Sequence, residues 1–146
     1  MVALLILVAG AGAVRADSFP VLSGVEHGIE LCQQSVCGSA IFVGVFQGTV
    51  GIKPGAIGTI AVQVKHDPLP LPGHHAAITG GSWQFVSGFR LITGSVTGDL
   101  YAWNDKQFQV TVKLTLEHGG IGDVAFVGLL DHNNFPPTID GIISQH

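Results

Sequence analysis

The sequence predicts an all-β fold, an antiparallel sandwich or small barrel of about eight strands, and three observations carry that expectation. Glycine and proline are abundant, at 21 and seven of 146 residues, and they break the chain into short segments rich in Val, Ile, Thr and Phe. One segment alternates without interruption: Phe108, Val110, Val112, Leu114 and Leu116 point one way, and Gln109, Thr111, Lys113 and Thr115 the other. One face of that strand must be buried and the other wet. The third observation is negative, since no window after residue 16 carries a helical period.

Taken in order, the chain begins with an apolar stretch, Val2 to Val14, followed by Arg15-Ala16 and the polar Asp17-Ser18. This is the apolar region and small-residue cleavage site of a secretory signal peptide, with Ala16 the last residue removed. The stretch falls short of the about 20 apolar residues that span a bilayer, so export is expected rather than an uncleaved anchor. Residues 1–16 are therefore assigned to a signal peptide, 17–39 to an N-terminal segment and 40–146 to the antiparallel β domain. In the N-terminal segment Cys32 and Cys37 read as a local disulfide for an oxidising compartment. Closing so small a loop stabilises by roughly 2 kcal/mol. A redox-active pair would want a two-residue spacing at a helix start, which is absent here.

Strands are expected at Ala40 to Val50, Ile57 to His66, Ser82 to Thr93, Val96 to Trp103, Phe108 to Leu116 and Thr138 to Ser144, with a short one at Ala76 to Gly80. Gly55, Gly80-Gly81, Thr93-Gly94, Asn104-Asp105 and Gly119-Gly120 are read as the turns between them. The thirteen residues Gly55 to Asp67 lie without gaps on Gly119 to Asp131, an offset of 119 − 55 = 64. Ile60, Val62, Val64 and His66 share a face of the first copy, as Val124, Phe126, Gly128, Leu130 and His132 share a face of the second. The match is short and built from common residues, and it suggests pseudo-twofold internal symmetry. An axis along the strands would put both copies' end loops on one rim; an axis across them would put the loops at opposite ends.

Composition narrows the partners. Only 11% of residues are charged, the net charge is −4, and Lys53, Lys65, Arg90, Lys106 and Lys113 are scattered. No basic stripe exists to neutralise phosphates, so neither nucleic acid nor an anionic lipid surface is expected. No integral membrane span is expected after residue 16. A transmembrane barrel would want aromatic girdles, and Trp and Tyr number only three, at Trp83, Tyr101 and Trp103.

The most informative polar stretch is His66-Asp67-Pro68-Leu69-Pro70-Leu71-Pro72-Gly73-His74-His75. Its alternate prolines hold a stiff extended loop, and an antiparallel hairpin would bring His66 towards His74 and His75. Asp131-His132 ends the second copy. Three readings follow. His66, His74, His75 and His132, with Asp67 or Asp131 as ligand or orienting group, would suit Zn or Cu, although no tight zinc-motif spacing appears. A His–Asp pair would suit a hydrolase, although no nucleophile elbow accompanies it. The third reading makes them ordinary turn residues. Trp83, Tyr101 and Trp103 are candidates for an exposed ligand or subunit surface, with Tyr101 and Trp103 opposite Val96, Leu100 and Ala102.

The functional expectation is an exported, non-enzymatic β domain that acts by binding a surface or small molecule, or by self-assembly, in an extracellular or periplasmic setting. Assembly is suggested by the low charge of Ala40 to Val50, which lacks edge lysines, and by apolar residues within Asp17 to Leu31 that would pair with a neighbour's edge.

Overall fold

Eight strands follow one another around a closed antiparallel barrel in the computed structural model, which describes residues 22–118 and 123–145. They are β1 (Leu22–Cys32), β2 (Ala40–Val50), β3 (Lys53–His66), β4 (His75–Ser87), β5 (Arg90–Ala102), β6 (Gln107–His118), β7 (Asp123–Asp131) and β8 (Thr138–Gln145), with one helical turn, α1 (Gln34–Cys37), between β1 and β2. Each strand pairs with the next, and β8 returns to pair with β1 from Gly24↔Ile143 to Ile29↔Thr138. The expected signal peptide and Gly119 to Gly122 of the second repeat copy lie outside the described residues.

The alternation read in β6 holds throughout. Val110, Val112, Leu114 and Leu116 are buried inside the barrel, and Thr111, Lys113 and Glu117 face water. On the outside of β5 and β6 the residues are mainly Thr, Ser, Gln and Asp, while the interior is lined by Phe, Leu, Ile and Val. On these two strands the polarity is the reverse of the polar lumen and apolar outer band of a transmembrane barrel. Closure also removes the free edges expected of Ala40 to Val50 and of the described part of Asp17 to Leu31, Leu22 to Leu31; Asp17 to Val21 lie outside the described residues. Residues 22–32 are a full strand of the barrel rather than part of an accessory segment.

One end of the barrel is packed solid. Phe46 and Phe85 meet edge to face at 5.2 Å between ring centroids, among Leu22, Ile92, Val124 and Ile143. The Phe85 ring fits because Gly58 has no side chain; a Cβ there would stand 2.6 Å from it. Such inward glycines explain where the expected turns were wrong. Thr93-Gly94 does not end a strand: Gly94 lies inside β5, under the Trp83 indole. The real turn between β4 and β5 is at Gly88, whose φ of 60° is left-handed. Gly80-Gly81 is a bulge rather than a break, so the segment expected to end at Gly80 runs on to Ser87.

The repeat lands on β3 and β7, four strands apart in a ring of eight, so the copies stand across the barrel from each other. Both end at the same rim, as an axis along the strands requires. That rim also carries the β1–β2 and β5–β6 connections.

Candidate functional site

The half of the barrel beneath that rim is hollow. A cavity of about 250 Å³ runs from the rim to the level of Ile60, Val96, Leu114 and Phe126. Its walls are aliphatic and aromatic, and Phe42 and Val62 keep part of their surface on the void. An eight-stranded barrel has room for side chains to fill it or for one small ligand. Here Phe46 and Phe85 fill the lower half, while the upper half is walled by aliphatic side chains such as Val64, Leu100, Val110 and Ile139 that leave its centre open.

Polar groups enter this apolar space from β1. Leu22, Gly24, Glu26, Gly28 and Glu30 share its inward face, whereas Val25, Ile29 and Leu31 face out. The apolar residues of β1 are thus on the wrong side for a strand read alone. The register is held by both neighbours, Glu26 opposite Phe46 on β2 and Gly141 on β8. A slip of one residue would turn every side chain over.

Glu30, near the rim, accepts a hydrogen bond from His132 Nε2 at 3.1 Å, and the His132 ring packs edge-on against Phe108. Glu26 lies four residues deeper, about 13 Å down the strand. It is only 5% exposed, and its carboxyl accepts no hydrogen bond from any described residue. Gly28 and Gly44 make room for it, since a side chain at Gly44 would collide with Glu26 Oε2. The Glu26 pKa is raised from 4.5 to about 7, chiefly by burial and secondarily by Asp140, with His27 opposing them. Near neutrality this group exists both as a carboxylate and as a neutral acid.

The mouth is built by the disulfide loop. Cys32 and Cys37 are bonded, with Cα atoms 6.1 Å apart, and they pin α1 over the rim. From there Gln34 clamps the end of β3: its Nε2 donates to His66 O at 2.9 Å, and its Oε1 accepts from His66 N at 2.8 Å. Gln33, Gln34 and Ser35 then border the opening with His66, Pro68 and Leu69.

The expected metal residues share the rim without converging. No three His, Cys, Asp or Glu side chains among the described residues are placed to hold a metal ion. His66 Nδ1 bonds its neighbour's carbonyl, Asp67 O, at 2.6 Å. His75 turns outward to Asp99 Oδ2 at 2.6 Å and stacks on Tyr101. His74 caps the proline loop through its backbone, accepting from Ala102 N. Asp67 donates its backbone N–H to Ala77 O. Asp131 accepts from Asn133 N at 2.9 Å, a turn contact that lowers its pKa. The hairpin strands are paired as expected, but successive side chains point to opposite faces, so adjacent histidines diverge. The two His–Asp side-chain pairs that do form, His75–Asp99 and His27–Asp140, lie on the outer wall.

Of the aromatic candidates, Trp83 is 2% exposed inside the barrel, its Nε1 donating to Thr115 O at 3.1 Å, so it is a core residue and not a surface one. Tyr101 and Trp103 do face outward. Glu26 and Glu30 were not among the sequence candidates. Their signal was parity with Leu22, Gly24 and Gly28, a pattern that ordinary hydrophobic reading assigns to the wet face.

No protein-family model matches this chain, and no curated protein or solved structure is detectably similar to it.

Proposed function

We propose that this protein is an exported binding protein that holds one small, largely apolar molecule inside its barrel. The observation that carries the reading is the cavity of about 250 Å³ with apolar walls and a rim built by loops. Well-packed interiors leave few voids larger than a water molecule, so a space of this size in an otherwise filled barrel calls for an occupant. Export is supported by the apolar Val2 to Val14 stretch and by the Cys32–Cys37 disulfide. N-terminal sequencing of protein recovered outside the cytoplasm should begin at Asp17.

The binding test is calorimetric titration of the protein with 1-octanol. Eight carbons at ~0.8 kcal/mol each give roughly 6 kcal/mol, a dissociation constant on the order of tens of micromolar. Val62→Trp, which fills the void, should abolish the heat while the circular dichroism spectrum keeps its β character. No binding by the native protein, or equal binding by the filled variant, overturns the reading.

A second reading, self-association, is favoured by the outer wall. Val25, Val45, Val127 and Ile142 form an exposed apolar band across β7, β8, β1 and β2; Ile142 is 62% exposed and pairs with both Val127 and Val25. The polar side chains in its middle, His27 and Asp140, are hydrogen-bonded to each other. A face whose polar groups satisfy one another is suited to a second copy of itself about a twofold axis. Ile142→Lys should lower the sedimentation mass to that of a monomer; a native protein that is already monomeric at high concentration removes this reading.

A further inference from the structure

We infer that the molecule held in the barrel is an apolar amine, its ammonium group paired with the carboxylate of Glu26 at the cavity floor. This rests on the binding reading above and adds the chemical class of the ligand.

Among the described residues the ionisable groups that reach the cavity are Glu26, Glu30, His66 and His132, with no lysine or arginine beside them. Glu30 already has His132, and His66 is turned to the Asp67 carbonyl. Glu26 alone accepts no hydrogen bond from the described residues, although it is almost wholly buried; His27, on the outer face, acts on it only at a distance. A buried polar group without a partner is costly, and a buried unpaired charge more so. Two glycines are nevertheless spent on giving it space. The Glu26 carboxyl therefore sits in a fitted niche on the apolar cavity, with its hydrogen-bonding capacity unused by the described residues. A ligand that brings a cationic donor supplies what the protein does not.

Charge also decides against the commonest apolar cargo. A fatty carboxylate would place its negative charge near two glutamates, and the two histidines of the lining are already engaged, His66 with the Asp67 carbonyl and His132 with Glu30. A neutral alcohol would be tolerated and would make an ordinary hydrogen bond. A protonated amine makes the charge-assisted one. Its length is bounded by the strand: the floor at Glu26 and the rim at Glu30 are about 13 Å apart, and the volume suits on the order of ten non-hydrogen atoms. The hydrocarbon then lies along Val64, Leu100, Val110, Leu130 and Ile139, with its end under Leu69.

The test compares three probes of equal chain length, n-octylamine, 1-octanol and octanoate, by calorimetry at pH 8.5 with the native protein, Glu26→Gln and Glu30→Gln. The amine should bind the native protein roughly ten- to a hundredfold more tightly than the alcohol, and octanoate more weakly than either. Glu26→Gln should bring the amine down to the alcohol's affinity and leave the alcohol within about threefold of its native value, because glutamine keeps the shape and loses the charge. Glu30→Gln should retain the preference. An amine that binds no better than the alcohol, or a preference that survives Glu26→Gln or disappears with Glu30→Gln, overturns the assignment while leaving the cavity a binding site. Failure of 1-octanol itself would instead remove the binding reading and this inference with it.

Discussion

Glu26→Gln should stabilise the empty barrel, and by an amount that depends on pH. In the folded protein the Glu26 carboxyl titrates at about 7 rather than 4.5, chiefly because burial penalises its ionised form and secondarily because Asp140 is near. The native state thus binds this proton more tightly than the unfolded chain does. Below pH 4.5 both states are protonated and the group is neutral towards stability. Between 4.5 and 7 the unfolded chain loses its proton first, and stability falls as pH rises. Above 7 the loss is complete. The interval, 7 − 4.5 = 2.5, at ~1.36 kcal/mol per pH unit, comes to about 3 kcal/mol. Glutamine has the same shape and never ionises, so the difference between variant and native protein isolates this group; every other carboxyl cancels. Urea denaturation at pH 4.5 and pH 8.5 measures it. The variant should be close to native at the lower pH and more stable by about 3 kcal/mol at the higher. Equal differences at the two values would show that Glu26 ionises as easily folded as unfolded, and the account of its burial would be wrong.

Other perturbations probe the parts that shape the cavity. Phe85→Ala opens the packed end and should cost about 3–5 kcal/mol in chemical denaturation, with both Phe46 and the floor losing a neighbour. Gly44→Ala drives a methyl group into Glu26 Oε2 and towards the His27 carbonyl at 2.7 Å; it should lower the melting temperature by several degrees, and relief by pairing it with Glu26→Ala would trace the clash to that side chain. Cys32→Ser with Cys37→Ser should cost about 2 kcal/mol and loosen the mouth, read as faster amide exchange at His66, whose N–H is held by Gln34.

Much of the fold is legible in the chain because water and oil alternate along it. Phe108 to Leu116 could be read correctly from parity alone, since its neighbours β5 and β7 ask for the same face. The similar segments fall on β3 and β7, strands that run the same way on opposite sides of the barrel, a placement their sequences alone left open. The turns were less legible. A glycine at a turn and a glycine under an indole look alike in sequence, and Gly94 was read as the first when it is the second. The histidines of the proline loop are not brought together for a related reason: neighbours in the chain need not share a face, and His66, His74 and His75 each find a separate partner. Glu26 and Glu30 escaped notice because β1 runs against the rule, with its acids in and Val25 out.

By itself, then, the sequence determined most of the strands, their approximate number and the disulfide. All of these depend on residues close in the chain or on a period of two. Only the tertiary structure decided that the sheet closes, that one end is filled and the other hollow, and which way β1 faces. Those outcomes are set by two neighbouring strands fixing the register of a third, and by aromatic rings claiming the space above glycines many residues away.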